Sequence, residues 1–100
     1  MLEVRYLPSF YRDLRGVVKY ISLNLKAPQA AENLVDEIER AVNALREFPL
    51  AHRLYQPAEP LSKEYRVATV KNYLLFYTVD DIIRIHRVIY KGRNLANLIT

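Results

Sequence analysis

Cysteine is absent from this 100-residue chain, so no disulfide supports the fold, and thiolate catalysis and cysteine-ligated zinc are both excluded. Glycine occurs only at Gly16 and Gly92, which leaves no glycine-rich phosphate loop and no dinucleotide-binding fingerprint. His52 and His86 stand apart from any carboxylate at metal-ligand spacing, so neither a metal nor another cofactor is expected. No serine sits in a nucleophile elbow. No run approaches the roughly 18 consecutive apolar residues of a membrane span. Glu3 and Arg5 interrupt the stretch where a signal peptide needs apolar residues. Together these absences lead us to expect a soluble, cytoplasmic protein with no membrane partner.

What is present is ordinary globular material, 51% hydrophobic and 26% charged, in a length suited to one domain over residues 1–100. Fifteen Lys and Arg against eleven Asp and Glu give a net charge of +4. That balance suits an anionic partner, nucleic acid or an acidic protein.

Leu2, Val4 and Tyr6 alternate with Glu3 and Arg5, the period of a short strand with one wet face. Pro8 ends it, and Ser9 is the expected N-cap of a following helix. Phe10, Leu14, Val17, Ile21 and Leu25 recur at steps of three and four on that helix, forming one apolar stripe. Gly16 lowers its propensity by about 1 kcal/mol relative to alanine and offers room for close helix–helix approach. Pro28 suits the first turn of a second helix, whose buried face is expected to carry Ala31, Leu34, Ile38, Ala41, Val42 and Leu45. Pro49 ends it, and a proline-bearing loop of residues 49–63 follows.

Three strand-like runs complete the chain, with Lys71-Asn72 and Asp80-Asp81 as hairpin connections. Tyr73, Leu75, Tyr77 and Val79 form the bulkier alternate set of the middle run and are expected beneath the helices. The last run is ambiguous. Arg84, His86, Val88 and Tyr90 alternate with Ile83, Ile85, Arg87 and Ile89, and each set mixes charge with apolar bulk, so period two leaves its facing open. The expected fold is α+β in two layers, ordered β-α-α-β-β-β. A helical hairpin packs on one face of a small, mainly antiparallel sheet, and the other face stays bare.

The remaining chemistry is that of Arg, Lys and Tyr, concentrated near the end of the last run. That set serves RNA cleavage through a 2′-hydroxyl, where guanidinium groups stabilise phosphate charge and a tyrosine stacks on a base or relays a proton. A merely solvated basic sheet edge, with Tyr90 packing beside it, is the other reading.

The ordered set Tyr65-Arg66, Tyr73 to Tyr77, Asp80-Asp81 and Arg93-Asn94 resembles the C-terminal pattern of the RelE/ParE toxin family of bacterial type II toxin–antitoxin modules. The likeness extends over nearly the whole chain. It implies a toxin held inactive by a cognate acidic antitoxin. RelE-like members cleave mRNA in the ribosomal A site, and ParE-like members poison DNA gyrase. On the RelE-like reading Arg66, Tyr90 and Arg93 are the expected catalytic residues, with Arg87, Lys91 and Lys71 binding nucleic acid. Arg66 and Arg93 are expected to be exposed. The sequence departs from that branch at Leu74 and Ala68, where basic residues are usual, and "NYLLFY" is closer to ParE-like members. The leading expectation is ribosome-dependent mRNA cleavage without a metal. Gyrase inhibition is the alternative, and a non-toxic nucleic-acid-binding module the second. Assembly as a homodimer or as a toxin–antitoxin hetero-oligomer is left open.

Overall fold

The structure, a computed structural model, describes residues 1–57, 61–93 and 95. Strand β1 (Val4–Tyr6) leads into helix α1 (Pro8–Lys19), a π-helical turn (Tyr20–Asn24) and helix α2 (Pro28–Glu47). Strands β2 (Arg66–Val70), β3 (Tyr73–Val79) and β4 (Ile83–Tyr90) follow as an antiparallel meander, as the short connections predict. β1 pairs parallel to the first half of β4, giving the sheet order β1-β4-β3-β2. Among the described residues no helix is long and apolar enough to cross a membrane.

The two helices lie on one sheet face. Leu34, Ile38, Val42 and Leu45 of α2 and Phe10 of α1 bury against Leu75, Tyr77, Ile83, Ile85 and Val88 of the sheet. Each fully buried side chain of this size contributes roughly 1.5–3 kcal/mol of transfer free energy. Pro28 does stand in the first turn of α2, and the expected apolar face of that helix is buried apart from the half-exposed Ala41.

α1 departs from expectation at both ends. Leu7, not Ser9, occupies the N-cap position, with no side-chain cap. Pro8 follows at the first helical position, where its missing N–H removes one of the orphan donors that a cap would satisfy. Ser9 Oγ instead donates to the His86 carbonyl at 2.7 Å, tying the helix to β4. At the other end the π-helical turn inserts an extra residue into the helical phase. Tyr20, Leu23 and Leu25 consequently face solvent, so Leu25 is not a core residue.

β4 resolves its own ambiguity by breaking phase. Tyr77 pairs with Ile85 and Phe76 with Arg87, so His86 is an extra residue in a β-bulge. Ile83 and Ile85 before the bulge and Val88 after it therefore all reach the helix-facing core. Neither strict alternation runs the length of the strand.

The second sheet face is not bare. Tyr65, Val67, Phe76 and Ile89 form a smaller buried cluster there, with Tyr55, Leu61, Leu74 and Leu95 packed against it. Tyr55 N–H donates to the Tyr65 carbonyl at 2.7 Å and Val67 N–H to the Arg53 carbonyl at 3.0 Å, so the segment before β2 lies along its outer edge. Leaving those apolar residues wet would forfeit their transfer free energy, and the loop laid over them prevents that.

His86 is buried beside Tyr65, with its Nε2 2.9 Å from Thr78 Oγ1. Burial, reinforced by the positive charges of Lys63 and Arg84, lowers its pKa from 6.5 to about 4. The folded state therefore prefers the neutral ring. Stability on this account is complete above pH 6.5 and falls as pH drops towards 4, because the unfolded chain takes up the proton first. Between pH 7.5 and pH 5 the His86 contribution falls by about 2 kcal/mol. Urea titrations at the two pH values check this, and His86→Gln should flatten the difference. Asp80 has its pKa lowered by the Ile82 amide and by Arg84, so its contribution is lost only at more acid pH.

Candidate functional site

A groove of about 920 Å³, open to solvent, runs between α1, the β2–β3 hairpin and the end of β4. Arg12, Gly16 and Tyr20 supply one wall. They are four residues apart on successive turns and share one helix face. Lys71, Asn72 and Tyr73 supply the opposite wall, with Tyr90 and Arg93 closing the end. Val17, Ile21, Leu34 and Val88 give it an apolar floor.

Tyr73 and Tyr90 pack edge to face, with ring centroids 5.7 Å apart. This follows from the register, since they are directly paired across β3 and β4. Burial raises the Tyr73 phenol pKa above 10, and the neighbouring Tyr90 and Tyr20 add to the shift, so it stays protonated at neutral pH. Gly92 leaves room for the Tyr90 ring where it lies: a Cβ there would come within 2.6 Å of a ring carbon.

Lys71 takes a left-handed backbone conformation, φ 53°, in the two-residue hairpin turn. A lysine there costs on the order of 1 kcal/mol, which glycine would avoid. Lys71→Gly is therefore expected to raise stability by about 1 kcal/mol in urea unfolding. It also deletes one of the groove's cations, so it should lower activity while raising stability.

Asp13 is the acidic residue of the groove wall, and its carboxylate is engaged. It accepts from Arg87 Nε at 2.6 Å, from Arg87 Nη2 at 3.0 Å and from the Val88 N–H at 3.2 Å. The last bond matters for the fold, because β1 pairs only as far as Ile85 and leaves the rest of that β4 edge uncovered. α1 covers it, with Ser9 and Asp13 serving the bare backbone groups.

Of the six residues read from sequence as a site, Lys71, Tyr90 and Arg93 converge on the groove. Arg87 lies alongside, bound to Asp13. Lys91 is exposed in the turn after β4, its N–H donating to the Asn72 carbonyl at 3.0 Å. Arg66 is elsewhere. It pairs with Tyr77, whereas Tyr90 pairs with Tyr73, four residues or roughly 13 Å along β3. Nor is it freely exposed: its Nη1 donates to the His52 carbonyl at 2.7 Å and fastens the loop after α2. Tyr77 Oη does the same for the Pro49 carbonyl at 2.9 Å. Gly16 does not serve helix–helix contact either, since nothing lies within 4 Å of where its Cβ would be. Sequence reasoning passed over Arg12 and Tyr20 and gave Gly16 a different role, although their spacing of four and four was a readable sign of a shared face.

Cations around an apolar, tyrosine-lined trough suit binding of an anionic partner with an apolar component. Asp13 is engaged by Arg87, Tyr73 holds its proton, and His86 packs among Tyr65 and Thr78, away from the groove. Among the described residues no group of three or more His, Asp or Glu is placed to hold a metal ion.

This is a two-layer α+β domain, a helical hairpin over a four-stranded mixed sheet, with a basic groove at one end. The sequence matches the family model of the ParE toxin of type II toxin–antitoxin system, parDE, over residues 4–95, and the chain belongs to that family. A solved structure of the chromosomal ParDE TA system from P. aeruginosa superposes on it with a TM-score of 0.68. That match has 20% identity, covers 90% of this chain and 96% of that chain, and shows the same fold. No curated protein matches the chain significantly.

Proposed function

We propose that this ParE-family toxin arrests growth by binding and inhibiting DNA gyrase, without catalysing a reaction itself. The observation that carries this reading is the separation of Arg66 from Tyr90 and Arg93 by roughly 13 Å of strand. Cleavage at a 2′-hydroxyl needs a base, an acid and charge stabilisation around one phosphate, within hydrogen-bond reach of the reacting atoms. Arg66 is held instead against the His52 carbonyl. The groove offers binding groups, namely Arg12, Lys71 and Arg93 over an apolar floor. Membership of a toxin–antitoxin family brings an antitoxin as the partner that restrains it.

Purified toxin added to gyrase should abolish negative supercoiling at near-stoichiometric ratios, and the same preparation should leave mRNA intact on programmed ribosomes. Unaffected supercoiling together with A-site cleavage would overturn the proposal and restore the endoribonuclease reading.

A further inference from the structure

The tip of the helical hairpin exposes apolar side chains that the fold had a simple way to bury. Phe10, Leu14, Val17, Ile21 and Leu25 follow one helical stripe, and an uninterrupted α-helix would keep Leu25 on the core side. The π-helical turn breaks that phase, and Tyr20, Leu23 and Leu25 each stand more than half exposed. The tip is nonetheless fixed. Leu25 N–H donates to the Tyr20 carbonyl at 3.1 Å and Ala27 N–H to the Ile21 carbonyl at 3.0 Å. Lys26 closes the turn in the left-handed region at φ 52°, where a lysine is strained. π-Helical turns recur at functional sites, and a fixed tip loses little freedom on docking.

The charge around the tip is of one sign. No acidic residue occurs between Asp13 and Glu32. Arg15, Lys19 and Lys26 are exposed and have no carboxylate partner among the described residues. A second copy meeting this patch across a two-fold axis would set like charges against one another. Phe48 and Leu50 are as exposed, but Glu47 stands beside them in the chain and neither lines the groove. Tyr20 and Leu25 do line it, so the tip continues the surface that engages the target.

We propose that the tip of the α1–α2 hairpin is a further contact with gyrase, in which Tyr20, Leu23 and Leu25 enter an apolar pocket rimmed by Asp or Glu, and Lys19 and Lys26 meet that rim. The inference rests on gyrase being the target and adds to the groove a projecting apolar contact. Burying such side chains at the centre of a patch, with charges at its edge, is the usual anatomy of a protein interface.

The test measures binding of the full chain to immobilised gyrase and inhibition of supercoiling together, beside the thermal midpoint. Leu23→Asp should weaken both at least about 30-fold at an unchanged midpoint, because it sets a carboxylate against an apolar pocket with an acidic rim. Lys19→Glu with Lys26→Glu should weaken binding at least about tenfold, mainly through slower association with an altered salt dependence. This arm decides the matter independently should Leu23→Asp fail to fold. Phe48→Ser, at the other end of α2, should change neither binding nor inhibition. If the wild type binds gyrase and the folded tip variants bind as tightly, the inference is overturned and the gyrase reading stands. If the wild type neither binds nor inhibits gyrase, both fall. An equal loss in Phe48→Ser would also overturn it, by showing general adhesion of exposed apolar residues. Unchanged inhibition by Leu23→Asp with lost antitoxin binding would assign the tip to the antitoxin instead. Unchanged inhibition with dissociation of a toxin dimer would assign it to a second copy.

Discussion

Asp13→Ala is expected to lower stability by about 3–5 kcal/mol, the range for breaking a buried ion pair from one side. Both members of the pair are largely covered, at 12% side-chain exposure for Asp13 and 19% for Arg87. Removing the carboxylate takes from the Arg87 guanidinium its two bonds to Asp13 in a place where water cannot fully replace them. It also leaves the Val88 N–H without its acceptor on the strand edge that β1 does not reach. Against a total stability of roughly 5–15 kcal/mol for a small domain, this loss brings the fold close to its limit. The measurement is a urea midpoint at unchanged slope. Asp13→Asn keeps an acceptor for Val88 but not the charge, and should fall between. A double-mutant cycle with Arg87→Ala isolates the pair energy. A loss below about 1 kcal/mol in Asp13→Ala would mean that the pair behaves as an exposed one.

That ion pair also shows where sequence reading ends. α2 was legible because its apolar period is unbroken from Ala31 to Leu45 and a proline stands at its start. β3 was legible because the set of Tyr73, Leu75, Tyr77 and Val79 is bulkier than its alternate set. The misplacement of Leu25 and the open facing of β4 share one cause, an insertion that shifts the phase of a regular element. The π-helical turn moves Leu25 out of the core, and the bulge at His86 exchanges the faces of β4 halfway along. Both elements retain a trace of the shift in their spacing: Ile83, Ile85 and Val88 step by two and then by three. The site was less legible than the fold. Periodicity tells which side of an element a residue faces, but the groove joins residues 12–20 to residues 71–73 and 88–93. Strand direction did carry usable information. β2 and β4 run the same way in a meander, so a residue at the start of one and a residue at the end of the other belong at opposite ends of the sheet.

The same geometry separates two arginines that look equivalent in sequence. Lys71→Glu with Arg93→Glu should reduce inhibition of the target at least about 100-fold, because reversing charges on a binding rim replaces attraction with repulsion worth several kcal/mol. Folding should be nearly unaffected, since both side chains are exposed and neither has an internal carboxylate partner among the described residues. Arg66→Ala should behave in the opposite way. It deletes a charge-assisted hydrogen bond to the His52 carbonyl and should cost about 2 kcal/mol of stability. Its effect on activity should track the folded fraction, so inhibition per folded molecule should be unchanged. Half-inhibition points in a supercoiling assay, taken beside urea midpoints for each variant, distinguish the cases. If Arg66→Ala stays fully stable yet loses inhibition, the functional surface extends to the start of β2 and the groove is only part of it. If the Lys71/Arg93 reversal folds and inhibits normally, the basic rim takes no part in engaging the target, and the end of β4 has no role beyond closing the sheet.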